Sequence, residues 1–264
     1  MSEVVVVKCG GSTISELTDT FFESIMSLKL AGKQPIIVHG GGPAINEMLT
    51  QLKIKTTFVE GLRKTTDAVL ETAEMVLCGK MNKQLVRSLQ EQGAESIGLS
   101  GSDGRLLVVK AIDEKKLGYV GEPVYVNSVL INELLQKGYI PVIAPIGIDD
   151  KGQHFNVNAD SAAAAIASAM DAEELVFVTD VDGILKDNQL LDVVTSEEIE
   201  HYIQDGTIYG GMIPKVKAAI KSLTGPLNAV WIMNGKGSYL SQPNSKQLLY
   251  GTKIVKKQTV TSML

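Results

Sequence analysis

The sequence contains few of the residues that build disulfide frameworks, zinc sites or aromatic binding platforms. Its 264 residues include two cysteines, three histidines, five phenylalanines and one tryptophan. Two cysteines are too few for a disulfide framework or a zinc site, and so few aromatic side chains argue against a stacking platform for single-stranded nucleic acid. The net charge of −5 counts against a general nucleic-acid binder as well.

Long apolar runs are also missing. No run approaches the ~20 residues that a membrane-spanning helix needs. Met1, Ser2 and Glu3 lead directly into a run of valines, without the apolar segment of a secretory signal. We therefore expect a protein of the reducing cytoplasm that has neither a membrane nor a nucleic-acid partner.

Short apolar runs alternate with helical patterns along the chain, which is typical of an α/β fold. The apolar runs are continuous, so they predict strands buried on both faces of a mostly parallel sheet. These strands are Val4–Val7, Pro35–Val38, Tyr139–Ala144, Glu174–Thr179 and Asn228–Ile232. The predicted helices are Glu16–Ala31, Pro43–Gln51, Thr66–Gln92, Asn127–Lys137, Ala159–Met170 and Met212–Leu223.

The chain has a soft division near Asn156. Residues 1–155 form a predicted N-terminal lobe with the features of a phosphate acceptor site, and residues 156–264 form a lobe with nucleotide-binding features. Within the first lobe, Ser96–Tyr125 is rich in Gly, Asp and short β-like pieces, which predicts an inserted hairpin or lid. The polar tail Lys256–Leu264 is a candidate for disorder.

Two glycine runs follow predicted strands. Lys8 precedes Gly10 and Gly11, and His39 precedes three glycines and Pro43. Ligands of open α/β sheets bind beyond the carboxyl ends of strands, and glycine loops at helix N-termini let backbone N–H groups approach an anion. Neither run is a Walker A or a dinucleotide-binding motif. Tight turns that serve packing alone are the alternative.

Two further segments suggest acceptor binding. Arg63 could clamp a carboxylate with two parallel hydrogen bonds, although a solvated arginine in a polar loop is at least as plausible from the sequence. Asn156 and Asn158 precede an alanine-rich helix, where they could hold an acceptor while Asp160 orients lysines. Asn158 or Asp160 could equally be a helix N-cap.

The C-terminal half contains two candidate nucleotide segments. Asp180–Leu185 follows a buried strand and contains an Asp-Gly turn, which needs no function but also suits a nucleotide lying across the sheet edge. Lys215 follows Pro214 in a predicted first helical turn, where the positive end of the helix dipole disfavours a lysine. A bound polyphosphate would make a lysine favourable at this position, so the placement of Lys215 indicates a function.

The sequence shows no acid–base constellation. Phosphoryl transfer depends on positioning and charge neutralisation more than on covalent help from the protein. A carboxylate acceptor, with an ordinary pKa of about 4.3, is already ionised at neutral pH and needs no base.

Taken together, six motifs in this order resemble the amino-acid kinase family from Val4 to Val255. The Gly61–Arg63 and Asn156–Asp160 segments resemble members that act on N-acetyl-L-glutamate. The resemblance implies a three-layer αβα sandwich around a mostly parallel sheet, as in carbamate kinase. It also implies Mg²⁺-dependent transfer from ATP to the γ-carboxylate of N-acetyl-L-glutamate, an early step of arginine biosynthesis.

The same resemblance implies roles for individual residues. Lys8 and Lys215 would stabilise the transferring phosphoryl group, and Asp160 would hold both lysines. The implied acceptor-binding residues are Gly41, Gly42, Arg63, Asn156 and Asn158. The implied ATP-binding residues are Gly10, Gly11, Asp180, Val181, Asp182, Gly183, Ile184, Leu185, Thr207, Ile208 and Tyr209. No protein metal site is implied, because Mg²⁺ is expected mainly on ATP oxygens and water.

Arginine-inhibited, hexameric members of the family carry an extra helix before the first strand, whereas three residues precede it here. The resemblance therefore implies an arginine-insensitive homodimer that does not bind a PII-type regulator.

Alternative acceptors within the family are aminoadipate, aspartate, glutamate, carbamate and UMP. A non-catalytic nucleotide sensor is a second possibility, against which both lysines argue. The missing dinucleotide fingerprint argues against an oxidoreductase.

Overall fold

A computed structural model describes residues 3–223, 227, 229–236 and 250–256. The strands of the described residues are β1 (Val4–Cys9), β2 (Gln34–His39), β3 (Phe58–Val59), β4 (Leu62–Arg63), β5 (Ser96–Ser100), β6 (Leu107–Ala111), β7 (Val120–Val126), β8 (Ile140–Ala144), β9 (Ile146–Ile148), β10 (His154–Val157), β11 (Glu174–Thr179), β12 (Leu185–Lys186), β13 (Gln189–Leu190), β14 (Val193–Thr195), β15 (Ala229–Asn234) and β16 (Thr252–Val255).

The helices are α1 (Asp19–Leu30), α2 (Gly42–Gln51), α3 (Asp67–Glu74), α4 (Asn82–Glu91), α5 (Glu114–Leu117), α6 (Ser128–Gln136), α7 (Ala159–Ala169), α8 (Ser196–Gln204) and α9 (Met212–Ser222). A π-helical segment, Met75–Met81, joins α3 to α4. No helix in the described ranges is long and apolar enough to cross a bilayer.

The central sheet has eight strands in the order β14-β16-β15-β11-β1-β2-β8-β5. Neighbouring strands run parallel except for β15 and β16, which pair antiparallel. The predicted mostly parallel sheet is therefore confirmed. Because β1, β2 and β11 are adjacent and parallel, their carboxyl ends meet at one edge in the middle of the sheet.

Successive residues of each central strand face opposite cores, as the pleat requires. In β1, Val5 and Val7 pack in a core with residues of α1 to α4, whereas Val4 and Val6 pack in a second core with residues of α6 to α9. Helical layers on both faces explain why these strands read as continuous apolar runs. The arrangement confirms the predicted three-layer αβα sandwich.

Two predicted helices differ from the observed ones. The first begins at Asp19 rather than at Glu16, since Glu16 ends a short 3₁₀ turn and Thr18 is extended at the N-cap. Its predicted end is confirmed, because Gly32 follows α1 with φ of +87°. The predicted helix Thr66–Gln92 is continuous but passes through the π-helical segment, which contains Gly79.

The prediction for Ser96–Tyr125 is wrong in part. Ser96–Ser100 is the edge strand β5 of the central sheet, paired in parallel with β8. Only β6 and β7 form an antiparallel hairpin, which closes with β9 and β10 into a small four-stranded barrel. The strand β5 escaped prediction because it is short and contains Gly98 and two serines, which weaken the apolar signal.

The helix α8 was not predicted, although its N-terminus carries a complete capping box. The Thr195 hydroxyl accepts from the Glu198 backbone N–H, and the Glu198 carboxylate accepts from the Thr195 backbone N–H.

Of the remaining predictions, Asn228 and residues 257–264 lie outside the described residues. The division of the chain at residues 155 and 156 stays a prediction.

Candidate active site

The two glycine runs meet where β1 and β2 end. Cys9 and His39, the last residues of these strands, are paired in register. A Cβ added to Gly11 would lie 2.5 Å from the Gly41 nitrogen and 2.7 Å from the Gly42 nitrogen, so the loops approach each other by backbone alone. The second loop leads directly into α2, with Pro43 in its first turn. Backbone N–H groups at this helix N-terminus suit an anion.

Lys8 and Asp160 form an ion pair across the site. Nζ of Lys8 lies 2.8 Å from Oδ1 of Asp160, and it also lies 5.8 Å from the centroid of the Phe177 ring. Asp160 stands in the first turn of α7, which Asn158 caps by accepting from the backbone N–H groups of Asp160 and Ser161. The capping role weighed for Asn158 is thus present, while Asp160 contacts the lysine.

Lys215 has a different partner from the expected one. It lies in the first turns of α9, which have no acidic residue of their own, and Nζ forms an ion pair with Asp180 Oδ1. The hydrogen bond from Lys215 holds the pKa of Asp180 below its ordinary value. Asp160 therefore contacts Lys8, and Asp180 takes the place next to Lys215 that we expected for Asp160.

Both ion pairs line one cavity. A space of about 110 Å³ is lined by Lys8, Gly10, Asp160, Asp180 and Lys215, among others. The two lysines that line this space come from different elements, β1 and α9. Two cations facing a common gap can neutralise a polyanion placed between them.

A second cavity of about 340 Å³ adjoins the first and shares Asp180 and Lys215 with it. The size falls in the range of small-molecule sites. It contains every predicted nucleotide residue outside the glycine loop: Asp180, Val181, Asp182, Gly183, Ile184, Leu185, Thr207, Ile208 and Tyr209. Gly211 and Met212 line it too and were not predicted. Gly11 lines neither cavity; its neighbours are Gly41 and Gly42.

Arg63 is buried, with 7% of its surface exposed, so the interpretation as a solvated loop residue is wrong. Nη1 donates to Asn46 Oδ1 at 2.7 Å and to Thr56 Oγ1 at 3.0 Å, and Nη2 donates to the Gly42 carbonyl at 3.2 Å. The guanidinium also lies 4.7 Å from the centroid of the Phe58 ring.

No carboxylate of the described residues forms an ion pair with Arg63. Burial lowers the pKa of Arg63, although an arginine stays charged at neutral pH. A buried cation held only by neutral acceptors is costly unless an anion joins it. Arg63 is therefore a candidate for binding an anionic ligand beside Gly42.

Three residues that sequence reasoning missed hold Arg63: Asn46, Thr56 and Phe58. Phe58 faces Arg63 across the two-residue strands β3 and β4, a pairing that the sequence analysis did not predict. Asn156 adjoins this group, since its Nδ2 donates to Thr65 Oγ1 at 3.2 Å. Thr65 Oγ1 donates in turn to the Arg63 carbonyl at 2.9 Å. Gly42, Arg63 and Asn156 are thus brought to one region from α2, β4 and β10, whereas Asn158 caps α7 beside Asp160.

No group of three or more His, Cys, Asp or Glu side chains could hold a metal ion within the described part of the chain. Asp180 and Asp182 are the carboxylates that line the second cavity. An Mg²⁺ ion that arrives on nucleotide phosphates needs only one or two such carboxylates.

Residues 3–234 match the amino acid kinase family, and the chain belongs to that family. It is 58% identical over 262 residues to acetylglutamate kinase from Halalkalibacterium halodurans, with 99% of each chain covered. It is 50% identical over 258 residues to acetylglutamate kinase from Bacillus pumilus, with 98% of each covered. The predicted family is confirmed.

The fold agrees with a solved structure, smu.665 from Streptococcus mutans UA159. The TM-score is 0.81 at 30% identity, and the match covers 97% of this chain and 99% of the other.

Proposed function

We propose that this kinase transfers the γ-phosphoryl group of ATP to the γ-carboxylate of N-acetyl-L-glutamate, giving N-acetyl-L-glutamyl 5-phosphate in arginine biosynthesis. The observation that carries the proposal is the buried Arg63, which has no acidic partner among the described residues and lies next to the glycine loop that ends in Gly42. The names of the two relatives point to the same reaction.

Arg63 suits the α-carboxylate of the acceptor. A guanidinium has five N–H donors, of which three are engaged by Asn46, Thr56 and Gly42. Two donors remain, which is the number that a carboxylate takes in a bidentate pair. Asn156 and Asn158 would contribute amide donors, since the cap of α7 uses only Oδ1 of Asn158.

In the transfer step, an ionised γ-carboxylate oxygen of the acceptor attacks the γ-phosphorus. The bond from that oxygen to phosphorus forms, the bond to the β,γ-bridging oxygen breaks, and ADP leaves with the electron pair. No proton is removed, because the carboxylate is already ionised at neutral pH. Lys8 and Lys215 neutralise the charge on the phosphoryl oxygens from opposite sides.

The two aspartates then have different tasks. Asp160 orients Lys8 through their ion pair. Asp180 is the partner of Lys215 until nucleotide phosphates compete for the same ammonium group. Gly11 and the backbone around Gly41 and Gly42 supply N–H donors for phosphate and acceptor oxygens. The Gly10 N–H donates to the Val178 carbonyl at 3.3 Å, so Gly10 contributes close approach of the backbone to the phosphates. Mg²⁺ bound to ATP oxygens supplies further charge neutralisation.

The proposal includes a cytoplasmic homodimer that arginine does not inhibit and that binds no PII-type regulator. It rests on the family resemblance. Light scattering after size exclusion would measure the mass in solution, and assays with and without L-arginine would measure inhibition. A hexamer, or inhibition by millimolar L-arginine, would contradict this part.

The test of the reaction is ADP release by the purified protein with Mg-ATP and each candidate acceptor. Hydroxylamine added to the mixture traps an acyl phosphate as a hydroxamate. The nucleoside diphosphate that would form from UMP does not react. We expect ADP and hydroxamate in equal amounts with N-acetyl-L-glutamate. Turnover with UMP or carbamate and none with N-acetyl-L-glutamate would overturn the assignment. Nucleotide binding without any turnover would favour the sensor.

A further inference from the structure

His39 is a buried histidine that the proposed transfer does not use. It ends β2, immediately before the acceptor glycine loop, and 0% of its surface is exposed. Its Nδ1 lies 3.0 Å from the Gly40 carbonyl oxygen, and its Nε2 lies 3.3 Å from Nδ2 of Asn82. Asn82 is the first residue of α4, directly after the π-helical segment.

The neighbours of Asn82 decide the direction of these hydrogen bonds. Its Nδ2 donates to the Val142 carbonyl at 2.9 Å and lies 3.3 Å from the Leu99 carbonyl, while its Oδ1 accepts from Lys83 Nζ. The reversed amide would place an oxygen against two carbonyl oxygens, so Nδ2 faces His39. Nδ2 has two hydrogens, which it shares among the Val142 carbonyl, the Leu99 carbonyl and Nε2 of His39. Because Nδ2 can only donate, Nε2 of His39 faces it without a proton, and Nδ1 carries the proton.

The proton on Nδ1 is therefore donated to the Gly40 carbonyl. The Gly40 backbone N–H donates in turn to the Cys9 carbonyl at 2.9 Å. Gly40 is thus held through both its N–H and its C=O. The next two residues are Gly41, which approaches Gly11, and Gly42, which approaches Arg63. Burial lowers the pKa of His39 to about 4, so the imidazole is neutral at the pH of an ordinary assay.

We infer that His39 is a positioning residue for acceptor binding: its Nδ1–H fixes the carbonyl of Gly40, and Asn82 holds the ring. The inference rests on the proposed function, which assigns the Gly40–Gly42 loop to the acceptor. Small shifts of such a loop matter, since a misplacement of about 1 Å can cost on the order of 10²-fold in rate.

Two substitutions test the two ring nitrogens of His39 separately. In His39→Asn, the side-chain amide reaches the position of Nδ1 and can still donate to Gly40, and Asn82 keeps its carbonyl partners. In His39→Gln, the amide reaches the position of Nε2 and can still pair with Asn82, but the donor to Gly40 is lost. Both variants are neutral and polar, so each is the control for the other.

We expect His39→Gln to raise the KM for N-acetyl-L-glutamate about tenfold, because the acceptor loop can shift once the hydrogen bond to the Gly40 carbonyl is lost. His39→Asn should stay within about threefold of the wild type, and the KM for ATP should change little in either variant. Equal acceptor KM values in the two variants, or an equal rise in the KM for ATP, would overturn the inference.

A measurement on the wild-type protein keeps the inference testable even if a variant does not fold. Long-range ¹H–¹⁵N correlation spectra distinguish the Nδ1–H tautomer, the Nε2–H tautomer and the imidazolium. We expect the Nδ1–H tautomer between pH 6 and pH 8, and either other form would contradict the inference. Turnover by the wild type is measured separately, so failure of the proposed acceptor is distinguishable from failure of the positioning role.

Discussion

Replacing Arg63 provides the sharpest test of the acceptor site. Arg63→Met keeps an unbranched side chain next to Phe58 but removes the charge and all five donors. Arg63→Lys keeps the charge but not the fork of two parallel donors. The two variants therefore separate charge from bidentate geometry at one buried position.

The magnitude follows from the environment of the guanidinium. Arg63 is 7% exposed and has no acidic partner among the described residues, so the acceptor carboxylate would be its first counter-charge. Removing one partner of a buried, hydrogen-bonded charge pair costs about 2–5 kcal/mol. At about 1.4 kcal/mol per tenfold, the affinity for the acceptor should fall by roughly 30-fold to 4,000-fold in Arg63→Met.

The assay is steady-state ADP release with each substrate varied in turn. We expect the acceptor KM to rise in both variants, less in Arg63→Lys, because a single ammonium group retains part of the attraction. The KM for ATP should remain near the wild-type value, since Arg63 lines neither of the two cavities around Lys215.

Thermal unfolding is the control, because Asn46, Thr56 and Gly42 lose their donors in Arg63→Met. Substrate effects are interpreted only for variants that remain folded at the assay temperature. An acceptor KM that is unchanged in a folded Arg63→Met protein would refute the reasoning, since a buried arginine without a ligand would then be structural.

Three further predictions follow from the ion pairs and from burial. Lys8→Ala and Lys215→Ala should each lower kcat by ~10² or more, and full kcat in either variant would refute its role in transfer. Asp180 has a lowered pKa, so its ion pair stabilises the fold above its ordinary pKa and is lost as the pH falls through the lowered value. The stability difference between wild type and Asp180→Asn should be at most about 1 kcal/mol at pH 6 and vanish in acid; a difference that grows in acid would contradict this. Burial raises the pKa of Cys9 to about 12, so native protein at pH 8 should not be alkylated at Cys9, whereas unfolded protein should be, as mass spectrometry of peptides would show.

Much of the fold could be predicted from local patterns. The central strands were found because burial on both faces makes a continuous apolar run. The strand β5 and the helix α8 were missed for different reasons. Gly98 and two serines weaken the apolar run of β5. The start of α8, by contrast, is indicated by a capping-box pattern, Thr195 followed three residues later by Glu198.

The sequence predicted many of the residues that line the candidate site, but not which of the charged residues form ion pairs with each other. Two of the predicted nucleotide segments, Asp180–Leu185 and residues 207–209, line one cavity, because one follows the carboxyl end of a strand and the other precedes a helix. The partners of the charged groups were less predictable. Asp160 was expected beside both lysines, but Lys215 pairs with Asp180, 35 residues away along the chain.

By itself, the sequence determined the five central strands that read as apolar runs, the glycine loops that follow two of them and the unfavourable position of Lys215 at the start of α9. These features depend on backbone conformation and on the helix dipole, which act over a few residues. Only the tertiary structure decided that Arg63 is buried beside Asn46, Thr56 and Phe58, and that His39 donates its Nδ1 proton to Gly40. Burial and hydrogen-bond direction depend on which distant segments pack together, and that choice is made by the whole core rather than by any one motif.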